Sequence, residues 1–100
     1  MNNVENIALT TIEECAEVSQ ALSKCLRFGF NSYNPMEPKF NNIQEVLNEY
    51  YQLEAMMELL LTETGLQDIY SKDTIEQIKN NKIEKFKSYQ EVSKKLGYLE

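Results

Sequence analysis

The 100-residue chain has no histidine and no tryptophan, and only three glycines, two prolines and two cysteines. Without histidine there is no Ser–His or Cys–His nucleophile, and most zinc sites are excluded. No apolar run approaches the roughly 18 residues that cross a bilayer. Met1 to Glu5 lacks the basic start and apolar middle of a signal peptide, so the chain is expected to be cytoplasmic. Basic residues are also scarce: ten against sixteen acidic ones give a net charge of −6 and a pI near 4.7. That balance argues against a protein built to grip a nucleic-acid backbone.

What is present describes one small globular domain, residues 1–100, with 42% hydrophobic and 26% charged residues. Cys15 and Cys25 are ten positions apart on one expected helix, about 15 Å of rise. A disulfide needs Cα atoms within about 7 Å, so both are read as reduced thiols behaving as small hydrophobes.

Three helices are expected, and the class is all-α, because no strand-like alternation of useful length appears. The first runs from about Val4 to Phe28, capped by Asn2 or Asn3. It carries a row Ala8, Ile12, Cys15, Ser19, Leu22, Leu26 and a neighbouring row Ile7, Thr11, Glu14, Val18, Ala21, Cys25, read together as one wide buried face. Residues 28–41 hold both prolines and a glycine and are expected to be a loop. The second helix runs from about Asn42 to Thr64, with Ile43, Val46/Leu47, Tyr50, Leu53, Met57 and Leu60/Leu61 as its core row and Gly65 as C-terminal cap. A short helical turn is expected at Leu66–Tyr70. The third helix should open at Asp73, in a capping-box pattern with Glu76, and run to about Leu96, with Gly97 ending it.

Charge is uneven. Residues 1–68 carry eleven acids and three bases, a net −8; residues 69–100 carry five acids and seven lysines, a net +2. The lysines either form a solvated face or close over an anionic ligand held by the first two helices.

The carboxylates give the sharpest pattern. Glu13, Glu14 and Glu17 crowd one helix, where residues three and four apart are neighbours. Glu45 and Glu49, one turn apart, form a second acidic edge, with Gln52 one turn beyond. Glu14 stands in an apolar row, which is costly for a carboxylate unless it is paired or metal-bound. Either these are exposed helix formers, or two antiparallel helices bring Glu14, Glu17 and Glu49 to one point. Such an all-oxygen set suits Mg²⁺ or Mn²⁺.

Lys24 and Arg27 are the only bases in the first 38 residues. They either complement the helix C-terminus or receive a phosphate. Phe28, Phe30, Tyr33, Tyr50 and Tyr51 are core residues or stacking surfaces. Asn31, Asn34, Asn41 and Asn42 shape turns or read base edges.

The stretch Ile12-Glu13-Glu14-Cys15-Ala16-Glu17-Val18 resembles the EExxE motif of the MazG-like all-α nucleoside triphosphate pyrophosphohydrolases. Leu22, Lys24, Leu26-Arg27-Phe28-Gly29, Tyr33-Asn34-Pro35, the helix Glu45–Leu60, and Lys82-Ile83-Glu84-Lys85-Phe86 through Lys94-Lys95-Leu96-Gly97 resemble its short, phage-type members. The resemblance thus spans nearly the whole chain. It implies long antiparallel helices in a homodimeric or homotetrameric bundle. It also implies Mg²⁺-dependent release of pyrophosphate, with Glu14, Glu17 and Glu49 as metal ligands and Glu13 as a further acid.

The departure lies in the second motif, ExxD in the family. Gln52 stands where the Asp is expected, Tyr51 where Gly is usual and Glu54 where an apolar residue is usual. An amide oxygen binds Mg²⁺ more weakly than a carboxylate. The expectation is therefore a nucleotide-binding protein with hydrolysis weakened or lost. It would use Lys24, Arg27, Phe28, Tyr33, Asn34, Tyr51 and Gln52 toward the ligand. In a phage it would capture an immune signalling nucleotide in the host cytoplasm. The alternative is an active pyrophosphohydrolase.

Overall fold

The computed structural model describes residues 1–100. Helix α1 spans Asn3–Phe28, strands β1 Tyr33–Asn34 and β2 Glu37–Asn41 form a hairpin, and helices α2 Asn42–Thr64 and α3 Lys72–Lys95 follow. Helix accounts for 73% of the residues, the mostly α-helical chain expected from the sequence. The chain groups into two compact units, Met1–Gln67 and Asp68–Glu100. None of the helices is long and apolar enough to cross a membrane.

In the first unit, α1 is started by Asn2. Its side chain accepts from the Glu5 amide at 2.8 Å, while its own amide donates to the Glu5 carboxylate at 3.0 Å. The helix stops at Gly29, whose amide donates to the Cys25 carbonyl at 2.9 Å. Gly29 has φ 99°, and a Cβ there would come within 3.0 Å of the Ser32 hydroxyl, so glycine is required twice over.

The hairpin replaces the loop expected over 28–41. Asn34 Oδ1 accepts from the Met36 amide at 3.0 Å, and Pro35 is pre-set for the turn that follows. Tyr33 pairs with Asn41 and Asn34 with Glu37, with an irregular register between them. Strands this short, with Pro38 in the longer one and Pro35 in the turn between them, show no readable alternation.

Asn41 then starts α2, accepting from the Gln44 amide while its own amide donates to Gln44 Oε1, both at 2.9 Å. Asn42 is the fastener. It is 8% exposed, and its Nδ2 donates to the Gly29 carbonyl at 2.8 Å. The Asn42 amide donates to Ser32 O and the Ile43 amide to Phe30 O, both at 2.9 Å. These bonds tie the end of α1 to the start of α2.

The two helices run antiparallel. Ala21, Cys25 and Val46 form the buried core with Ile43 against it, while Glu14 and Glu17, earlier in α1, lie by Glu49, later in α2. The covered row of α1 is Ile7, Thr11, Glu14, Val18, Ala21, Cys25; the other row is left mostly open, with Ile12 66% and Leu26 81% exposed. The wide buried face is thus half as wide as expected. On α2 the covered row is Asn42, Val46, Glu49, Leu53, Met56, Leu60, so Leu47, Tyr50 and Met57 of the expected core row are exposed. At its far end α2 closes on Gly65 in the left-handed region, with the Leu66 amide donating to Leu61 O at 2.8 Å. Leu66–Tyr70 is turn and bend rather than the expected helical turn.

In the second unit α3 is capped by Ser71, whose hydroxyl accepts from the Thr74 amide at 3.1 Å. The cap thus falls two residues before the expected Asp73, which lies in the first turn. At its end the Tyr98 amide donates to Ser93 O at 2.9 Å. No residue of α3 is buried. Cys15 is exposed and Cys25 buried, and both are free thiols.

Replacing Asn42 by Ala removes the bond to Gly29 O and leaves a half-covered carbonyl unpaired. The expected cost is about 1–2 kcal/mol of stability, read as a lower urea midpoint with the transition slope unchanged.

Candidate functional site

Helical geometry sorts the acidic residues before any chemistry is invoked. Each step turns the chain by about 100°. On α1, Glu14 faces α2 directly, and Glu17, Lys24 and Phe28 follow along one flank of the contact. On α2, Glu45 and Glu49 occupy the matching flank beside Val46. Antiparallel packing then faces flank to flank, and a trough opens between them.

Its narrow part is a cleft of about 60 Å³ lined by Glu17, Gln20, Ala21, Lys24, Asn42, Glu45 and Glu49. Beside it lies a cavity of about 340 Å³ lined by Lys24, Phe28, Tyr33, Asn34, Pro35 and Asn42. A third hollow of about 110 Å³ brings in Glu37 and Phe40 from the hairpin, again with Lys24, Asn34, Asn42 and Glu45. Lys24 and Asn42 border all three, so the hollows form one connected surface.

The electrostatics record how close the carboxylates are. The Glu49 carboxyl is held above its ordinary range, first by partial burial and then by Glu17, Glu14 and Glu45; Lys24 pulls the other way. Glu14 Oε2 is buried without a hydrogen-bond partner. The donors are all oxygen, the chemistry that suits Mg²⁺ or Mn²⁺. Glu17, Glu45 and Glu49 line one cleft, Glu14 does not, and no three of them close into a coordination group.

No spare positive end is offered by α2. The amides of its first three residues already donate, to Ser32 O, Phe30 O and Asn41 Oδ1. Lys24 is the cation that the trough presents.

Of the expected site residues, Glu17, Glu49, Lys24, Phe28, Tyr33 and Asn34 line the trough, and Glu14 lies near enough to act on the Glu49 carboxyl without lining it. Glu13, Arg27, Tyr51 and Gln52 do not line the trough. Tyr51 falls on the opposite side of α2, whereas Gln52 shares the flank of Glu45 and Glu49 and lies one turn beyond the end of the cleft. Arg27 lies farther round α1 than Lys24. Tyr51 instead packs edge-on against Tyr50, at 5.2 Å between ring centres. The Tyr50 phenol is held above its ordinary range by the Glu54 carboxylate one turn on.

Gln20, Glu37 and Phe40 join the trough without a sequence signal, since two of them depend on the hairpin. Glu45 and Asn42 had signals: an i, i+4 spacing from Glu49, and a place at the helix start.

The raised Glu49 carboxyl sets a pH dependence. A carboxyl with a higher value folded than unfolded takes up its proton earlier in the folded state. Its penalty is therefore absent at low pH and appears as pH rises through the raised value, above the ordinary 4.5. The Glu49 contribution to stability should therefore be lost as the pH rises from 4 to 7. Glu49→Gln should raise the stability at pH 7, by roughly a few tenths of a kcal/mol for each like-charge pair relieved, and flatten that slope. Paired melts at the two pH values test it; a steeper slope in Glu49→Gln counts against the cluster.

Compared with models of protein families, with curated proteins and with solved structures, the chain matches none. What the trough binds is therefore argued from its own residues.

Proposed function

We propose that this chain is a nucleotide-binding protein on a MazG-like scaffold, holding a nucleotide or nucleotide-derived ligand in the trough between α1 and α2 with hydrolysis weakened or lost. One observation carries the reading. An aromatic-walled cavity with two amides opens, through Lys24, onto a cleft of carboxylates from both helices. Apolar walls with a few placed polar groups are the usual make-up of a small-molecule site. A nucleotide has the matching parts: a flat base, and phosphates that reach acidic residues through a hard cation. Glu14, Glu17 and Glu49 would hold that Mg²⁺ or Mn²⁺, supplying the charge that phosphate oxygens need. The weakened hydrolysis rests on Gln52, an amide where the resemblance calls for an acid. In a phage the same trough would sequester an immune signalling nucleotide.

The second reading is an active pyrophosphohydrolase, and Glu45 favours it. With Glu17 and Glu49 it lines one cleft, and Glu14 lies near enough to act on the Glu49 carboxyl; paired cations acting on a phosphoryl group need several such acids. Calorimetry with nucleoside triphosphates, deoxynucleotides, cyclic nucleotides and ADP-ribose-type ligands, followed by chromatography of the recovered ligand, separates the two. The binding reading expects tight binding with the ligand intact, and hydrolysis gained only in Gln52→Asp. Pyrophosphate released by the unaltered chain establishes the enzyme instead.

Assembly into a homodimer or homotetramer belongs to the same proposal. The buried apolar side chains are Ala21, Cys25 and Val46, while Ile12 and Leu26 of α1 and Leu47 and Met57 of α2 lie open. A second copy is the simplest cover for such faces. Light scattering on the purified chain is expected to give a mass of at least twice 11.7 kDa; a monomer at micromolar concentration refutes it.

A further inference from the structure

Helix α3 is the one helix without a buried residue, although it runs for 24 residues. A helix draws most of its stability from packing one amphipathic face, and α3 has such a face. Ile75, Ile78, Lys82, Phe86, Tyr89 and Leu96 follow one another at helical steps down one side. The apolar members are all exposed, Leu96 by 64%. The four acids of α3, Asp73, Glu76, Glu84 and Glu91, fall on the opposite side, while Lys79 and Lys85 flank the stripe. The apolar side of α3 is therefore also its positive side.

The open face of α2 is the counterpart. Leu47, Tyr50, Glu54, Met57 and Leu61 form a stripe of the same period beside the covered row. Leu47, Tyr50 and Met57 are exposed, and α2 carries five acids and no base. Each stripe holds a single charge with apolar residues about a turn away on both sides. In α3 it is Lys82, between Ile78 and Phe86; in α2 it is Glu54, between Tyr50 and Met57. The signs are opposite. A lone polar pair in an apolar seam fixes register, because any slip sets each charge against apolar side chains.

We propose that α3 of one copy packs along the open face of α2 in a second copy, with Lys82 set against Glu54 of the partner subunit. Two-fold symmetry makes the contact twice. Charge selects this occupant over an anionic lipid surface: residues 1–68 carry a net −8, which such a surface repels and the lysine face of α3 attracts. The inference rests on the assembly reading and names its surfaces; it stands apart from what the trough binds.

The test is charge reversal read by sedimentation of the full chain. Glu54→Lys and Lys82→Glu, both at exposed positions, should each keep their helix content by circular dichroism and associate at least about tenfold more weakly than the unaltered chain. An equimolar mixture of the two should regain the unaltered mass, because only the mixed pair sets opposite charges together at both contacts. A chain carrying both reversals should regain it as well. If the double variant recovers and the mixture does not, the contact lies within one chain and the proposal falls. If both single variants associate as well as the unaltered chain, the pairing falls while the assembly reading stands. An unaltered chain that is monomeric overturns the two together. Co-sedimentation with phosphatidylserine vesicles that Lys82→Glu abolishes assigns the face to lipid and overturns the pairing.

Discussion

Two helices meeting through very small side chains set the whole arrangement. Ala21 and Cys25 let α1 approach Val46 closely at the hairpin end of the pair, and Asn42 locks that end with a side-chain bond to Gly29 O. Once the helices are that close, the residues farther along have no freedom to stand apart. Glu14, Glu17 and Glu49 are carried into the same space by the geometry of the seam, and the charge repulsion shows as the raised Glu49 carboxyl. A folded protein that only needed stability would place leucine at Glu14 and Glu49, since both lie on covered rows. Their presence there costs stability, and such a cost at a cleft is the ordinary signature of a binding or reacting site.

Helix ends were the most legible part of the sequence. Asn2, Gly29 and Gly65 act through local hydrogen bonds that need no knowledge of the fold. Ser71 was passed over because Asp73 offers an equally good local pattern two residues later, and only the hydroxyl-to-Thr74 bond decides between them. The hairpin was hidden for a different reason: a two-residue strand against a five-residue one that carries Pro38 has too few positions to show a period of two.

Facing was harder to read than extent. Helix α1 has two apolar rows one residue apart, and the one with the larger side chains, Ile12, Leu22 and Leu26, is the one left open. Hydrophobicity alone prefers that row. Closeness of approach prefers the other, with its threonine, alanine and cysteine. The same subtlety divides the expected site residues. Glu14, Glu17, Glu49 and Lys24 follow from helical spacing alone. Phe28 follows on the same flank of α1, and Tyr33 and Asn34 reach the trough because the hairpin folds them toward it. Tyr51 is adjacent in sequence to the second acidic edge yet turns away from it, since two steps along a helix reverse the direction of a side chain, while Gln52 keeps that flank but lies a turn beyond the cleft.

The two thiols experience the seam from opposite sides. Cys15 faces solvent, whereas Cys25 is only 1% exposed at the tightest point between α1 and α2. An oxidant or an alkylating reagent therefore meets Cys15 in the intact fold and reaches Cys25 only when the helices part. Modification at Cys15 leaves the contact between the helices untouched, whereas at Cys25 it adds bulk where Ala21 and Val46 already close the space and opposes repacking.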